Sequence, residues 1–322
     1  MDFNRYRDVL AERVGRLELP FEDAEYARRR LAVAQGMAEA GLDALLVTDA
    51  ADICYLTGYN TFEVSVHTAL LLVAGGKAGA ASADGGNQPA DPAPAAGISE
   101  GQAVLQVPSI ETGPAVTTAR VDEVLGYRWE EANGAVEQMA GVIRDAGLGG
   151  RQAGGTHDGG RSAPPIWPGD VGASAGVGVN ASVEGGELAS AGTGERPRLG
   201  TDNWGPALRS GFRDGLAAAL PGLELIDASG LVDAVKIVKS EPEIAMLRES
   251  ARITELGIAA AESLITPGVT DQQLAATGSA AMLAAGGEFM SLQPIVTTGW
   301  RSSVIHCNHQ RHTVAEGEPV FM

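Results

Sequence analysis

The chain has 322 residues, of which 44% are hydrophobic, and 41 acidic residues against 23 basic ones give a formal net charge of −18. This length predicts two domains rather than one, and the apolar content is enough for real cores. So acidic a chain repels phosphate backbones and anionic membrane surfaces, which sets nucleic acid and membrane aside as partners.

Residues 1–20 are charged and contain no apolar h-region, so no signal peptide is expected. The first clear element is FEDAEYARRRLAVAQGMAEAG at 21–41, an amphipathic helix with Leu31, Ala34, Met37 and Ala38 near helical spacing and Gly41 as its C-terminal cap. LDALLVTD then reads as a strand, ADICYLTGYN as a connection, and VHTALLLVAG as a second strand. The apolar run at 68–74 within it is too short to span a bilayer. Residues 74–103 are dominated by Gly, Ala, Pro, Ser and Asp and are expected to be loop or disorder. Order returns at AVLQVPSIE, VDEVLGYRWEE and the helix-like AVEQMAGVIRDAGLGG, and fades again over 149–202, which is expected to behave like the first Gly/Ala-rich stretch.

From residue 204 the signals are clean. A helix at about 206–220, the strand LELID and the helix SGLVDAVKIV lead to a long helix whose N-terminus carries a Ser240/Glu243 capping box, with Pro242 in the first turn. Ile244, Leu247, Ala251 and Ile258 are expected to form its buried stripe. Pro267-Gly268 ends that helix, and Thr270 with Gln273 caps another that runs to Gly286-Gly287. The remainder, EFMSLQPIVTTGWRSSVIHCNH, reads as strands with turns. Helices alternating with short buried strands make the chain α/β.

No phosphate-binding G-x-x-x-x-G-K-[ST], no G-x-G-x-x-G after a strand and no G-x-S-x-G elbow occur, which removes the common nucleotide and serine-hydrolase readings. His306, His309 and His312 are three apart in a β-prone setting. On a strand His306 and His312 would face one way and His309 the other, poor geometry for a three-histidine metal site, so a structural reading outweighs a metal one. Cys307 reads as a small core residue, Tyr55 and Tyr59 as packing residues, and Asp43, Asp49 and Asp52 as turn and cap residues at strand ends. With Cys54 and Cys307 far apart there is no disulfide framework, which suits a reducing cytoplasm.

Three stretches together resemble the creatinase, aminopeptidase P and prolidase family, the M24-type "pita-bread" enzymes. AEYARRRLAVAQGMAEAGLDALLVTDAADICYLTGYN resembles its N-terminal domain, and LPGLELIDASGLVDAVKIVKSEPEIAMLRESARI the domain junction. ITPGVTDQQLAATGSAAMLAAGGE with VTTGWRSSVIHCNHQRHTVAEGEPVFM resembles the opening of its catalytic domain. The resemblance covers roughly two thirds of the chain. It implies a creatinase-like cap domain with a mixed sheet over 1–235, followed by an incomplete α+β pita-bread domain over 236–322. It also implies a C–N bond hydrolase acting on a peptide or small molecule, a homodimer, and a divalent metal pair (Mn, Co or Zn) in the full-length family.

Within that resemblance Thr298-Gly299-Trp300-Arg301 stands for the family's Ser-Gly-x-Arg-like turn, and Gly317-Glu318-Pro319-Val320 for its Gly-Asp-x-Val motif. His306, between them, resembles the active-site histidine, whereas His309 and His312 match no family role. The family's metal ligands, two Asp, a His and two Glu, fall at or past Met322. The chain is therefore expected to be C-terminally truncated, to hold no metal residue and to be inactive by itself. Glu318-Pro319, where most of the peptidases have Asp and an aliphatic residue, opens a second reading as a metal-free creatinase- or ectoine-hydrolase-like enzyme. A third is a non-catalytic fragment or dimerising cap module.

Overall fold

The computed structural model describes residues 3–14, 16–17, 19–61, 66–75, 99–130, 132–149, 196–288, 290, 292–304 and 306–322. The chain divides into two compact units, Met1–Ile237 and Val238–Met322.

The first unit opens with α1 (Phe3–Arg13) and α2 (Asp23–Glu39), then β1 (Ala44–Val47), α3 (Ala50–Thr57) and β2 (Ala69–Val73). It continues with β3 (Gln102–Pro108), α4 (Thr112–Thr118), β4 (Glu123–Tyr127) and α5 (Ala132–Asp145). Last come β5 (Arg198–Thr201), α6 (Ser210–Ala219), β6 (Glu224–Asp227) and α7 (Leu231–Lys236). The six strands form one sheet in the order β4-β3-β2-β1-β5-β6, with β2 antiparallel to both of its neighbours and the other pairs parallel. Helices cover both faces, so strands such as ALLV and ALLLV are apolar throughout instead of alternating. Leu45, Val47, Leu70 and Leu105 pack with Met37, Ile53 and Val232 on one side. Leu46, Leu71 and Val104 pack with Met139, Phe212 and Leu216 on the other.

Two expected loop boundaries are corrected. Gln102 and Ala103 belong to β3, and residues 198–201, inside the second Gly/Ala-rich stretch, form β5 in the interior of the sheet. RLGT carries little strand signal because its place is set by tertiary contacts. A Cβ on Gly200 would lie 2.7 Å from Leu42 Cδ1 and 2.8 Å from Ala228 Cβ, so only glycine lets β5 seat there. Asp43 fixes the register by accepting the Arg198 N–H at 2.7 Å. Residues 76–98 and 150–195, the rest of the two stretches, lie outside the described residues.

The second unit contains α8 (Glu241–Ser263), α9 (Asp271–Ala284) and a two-stranded ladder of β7 (Thr297–Thr298) with β8 (Val320–Phe321). Both helices begin as their sequences direct, with complete capping boxes at Ser240/Glu243 and Thr270/Gln273 and a proline in the first turn of α8. The predicted apolar stripe of α8 is not buried. Leu247 and Ile258 are about half exposed, and α8 meets α9 through Gly257 and Ala261 instead. The approach is close: a Cβ on Gly278 would stand 3.1 Å from the Gly257 carbonyl oxygen. A small core of Leu274, Ala275, Val296 and Val314 joins α9 to the C-terminal segment.

The strand expected through VIHCNH is also corrected. Gly299 enters the left-handed region at φ 63°, Gly299–Ser303 form a 3₁₀ turn, and His306 itself has φ 58°. Left-handed residues end an extended run, so the alternation that set His309 opposite His306 and His312 does not apply.

Candidate functional site

The candidate site is the C-terminal turn between β7 and β8. β7 brings in Thr297 and Thr298, both buried, and Gly299 reverses the chain. The Gly299 N–H donates to the Pro319 carbonyl at 2.9 Å, and a Cβ at Gly299 would sit 2.8 Å from a Glu318 carboxylate oxygen. Ser302 Oγ donates to the Thr297 and Pro319 carbonyls at 3.1 and 3.2 Å, tying the turn to both strands.

Arg301 is the internal clamp. It is buried, and its Nη2 donates to Cys307 Sγ at 2.9 Å and to the Asn308 carbonyl at 3.0 Å. Gln293 Nε2 holds the Asn308 side chain at 2.8 Å, and His309 Nδ1 lies 3.2 Å from the Pro294 carbonyl. Fully buried Asp271 takes the Gln310 N–H at 2.9 Å, while its own N–H donates to the His312 carbonyl at 2.9 Å. Residues on both sides of His306 are therefore fixed, and His306 stands exposed at the tip. A non-glycine residue held left-handed costs on the order of 1–3 kcal/mol, strain that the surrounding clamps must hold in place.

The other sequence candidates do not join it. His309 and His312 serve the framework, and Cys307 is half-buried under Arg301 rather than a sealed core residue. Asp49 caps α3, accepting from the Ala51 and Asp52 N–H groups, the cap role expected of it, whereas Asp43 instead accepts the Arg198 N–H from a distant segment and sets β5. Asp52 adds an ion pair with Lys236 at 2.6 Å that no local spacing announces, since the two are distant in sequence. Burial pushes its carboxyl up, and the Lys236 ammonium partly offsets that. Tyr59 is packed inside and donates its hydroxyl to buried Glu111 at 2.9 Å; burial and that carboxylate push the phenol well above its ordinary range. Among the described residues no group of three or more His, Cys, Asp or Glu is placed to hold a metal ion.

Sequence reasoning also missed His67. Its ring stacks on Phe212 at 3.9 Å, its two nitrogens meet no partner in good hydrogen-bond geometry among the described residues although the Gln106 side chain is near, and Tyr127 donates to its backbone carbonyl at 2.6 Å. Burial, with the charge of Arg209 nearby, pushes the imidazole down to about 4. A lone histidine ahead of an apolar strand carries no signal for this.

Residues 245–322, which contain the whole turn, match the family profile "Metallopeptidase family M24", and residues 29–88 match "Creatinase/Prolidase N-terminal domain". Both matched segments are thus similar to the creatinase, aminopeptidase P and prolidase family. Among curated family members, the "Probable Xaa-Pro aminopeptidase" of Fusarium vanettenii is 32% identical over 88 residues, 26% of this chain and 19% of that protein. The creatinase of a Bacillus species is 36% identical over 86 residues, 27% of this chain and 20% of that protein. The Xaa-Pro dipeptidase from Bacillus anthracis shares the fold at TM-score 0.57 and 17% identity, over 91% of this chain and 59% of its own. The chain thus spans about three fifths of the length of that solved family member. No described helix is long and apolar enough to cross a membrane.

Proposed function

We propose that the protein is a C–N bond hydrolase of the Xaa-Pro peptidase type and that His306 is its acid–base group. The observation that carries this reading is the left-handed, exposed His306 at the tip of a turn clamped on both sides, inside the segment that matches a metallopeptidase family. Neutral imidazole can accept a proton at one ring nitrogen and donate from the other, which suits the passage of a tetrahedral intermediate to products near pH 7. A divalent metal pair would supply an activated water and a Lewis acid in such a reaction. The described residues of this chain assemble no donor set that fits it, so the role assigned here is confined to the imidazole's proton. The working form under this reading is a cytoplasmic homodimer.

A metal-free amidohydrolase of the creatinase or ectoine-hydrolase kind is the second reading. It is favoured by Glu318 in the motif that carries Asp in most of the peptidases, and by matches to a creatinase and to an ectoine hydrolase.

One set of measurements tests both. Purified as it stands, the 322-residue chain is expected to bind no stoichiometric Mn, Co or Zn and to leave Xaa-Pro dipeptides uncleaved. In a protein extended to the length of the solved family members, His306→Ala should lower kcat by roughly 10²- to 10⁴-fold, the usual contribution of a general acid–base group. An unchanged kcat would remove His306 from the chemistry. Hydrolysis of creatine or ectoine in place of dipeptides, without metal, would decide for the second reading.

A further inference from the structure

We propose that Cys307 is a peroxide-responsive thiol whose oxidation to the sulfenic acid is promoted by Arg301. Arg301 Nη2 donates to Cys307 Sγ at 2.9 Å, so the guanidinium sits against the atom that would take up the oxygen. Arg301 is only 8% exposed, yet its Nε–H has no partner among the described residues. Nε lies on the same edge of the guanidinium as Nη2, the fork that receives oxyanions. An oxygen added to the sulfur gives this buried donor the acceptor it lacks, which offsets the cost of leaving it unmet. Cys307 is half-buried, so a small oxidant can reach it.

In the reaction the Cys307 sulfur attacks one oxygen of a hydroperoxide. An S–O bond forms and the O–O bond breaks, so the sulfur loses two electrons and the peroxide is reduced. The departing alkoxide, or hydroxide from hydrogen peroxide, takes up the thiol's proton and leaves as alcohol or water. Nη2 also holds the Asn308 carbonyl at 3.0 Å, so drawing the guanidinium onto a sulfenate oxygen disturbs the turn that carries His306. The proposal stands on Arg301 and Cys307 and does not depend on the role given to His306.

The test uses the whole chain, whose other cysteine, Cys54, is also half-buried and serves as the internal reference. The chain is treated with limiting hydrogen peroxide at pH 7 in the presence of dimedone, and both cysteine peptides are quantified by mass spectrometry. Cys307 should gain the adduct about tenfold faster than Cys54, and Arg301→Met should bring it down to the Cys54 rate. Labelling of Cys307 no faster than that of Cys54 overturns the proposal even if Arg301→Met does not fold. An unchanged Cys307 rate in a folded Arg301→Met chain overturns it too.

Discussion

His67 shows how one side chain can set an acid limit on a fold. Its folded value of about 4 lies below the ordinary 6.5, so the unfolded chain binds the proton more readily than the folded one. The neutral ring's contribution is fully present above about pH 6.5 and is lost as the pH falls towards 4, a loss of order 3 kcal/mol. His67→Phe, which keeps the stack on Phe212, should flatten the dependence of the urea midpoint between pH 7 and 4. Equal acid slopes in the two proteins would assign the effect elsewhere. The candidate site was legible at this scale only in part. The glycine-bearing motifs on either side of His306 single it out in the sequence, but its left-handed conformation could not be read from them. Short apolar and β-branched neighbours argue for a strand, and nothing local reveals that Arg301 reaches across to Cys307 and Asn308. Side-chain to backbone clamps have no period, so they leave no pattern to read.

Helices whose ends carry their own chemistry were the most readable elements. Ser240 and Thr270 each accept the N3 backbone N–H at 3.3 and 3.2 Å, as the capping-box spacing implies, and Ser240→Ala should cost about 1 kcal/mol. Which face a helix buries is a different matter. The larger side chains of α8 suggested Leu247 and Ile258, but the contact with α9 is made through glycine and alanine because the backbones approach closely there. Gly278→Leu should therefore destabilise the second unit by roughly 1–3 kcal/mol, despite leucine's better helix propensity, through overpacking against the Gly257 carbonyl. Calorimetry would show it as a lower melting temperature for that unit alone; a raised one would mean the helices separate freely. β5 failed to announce itself for a related reason, since a glycine chosen for close approach weakens the strand pattern that contains it.

At the scale of the molecule, the α/β class could be read from the chain, because alternating helices and buried strands permit few arrangements, but α3, read as a connection, and β5 were missed from the element order. The sheet order could not be read, since it depends on partners far apart in sequence. Ala44 pairs with Leu199, and the Asp43 side chain meets the Arg198 backbone across 155 residues, whereas β2 pairs with β1 and β3 on either side of it. Joining distant segments carries a loop-closure cost before any contact repays it, so this wiring sets an order of assembly. β1, β2 and β3 can zip together early, leaving the far edge of β1 open until β5 arrives. In pulse-labelled hydrogen exchange during refolding, the amides of Leu70–Leu72 should gain protection before those of Leu199–Thr201; simultaneous protection would show a single concerted step. The interval is a window of vulnerability, because an unpaired strand edge of buried-type residues can recruit another nascent chain as readily as its own β5. Yield on refolding should accordingly fall with protein concentration, although the finished sheet gives no hint of the hazard.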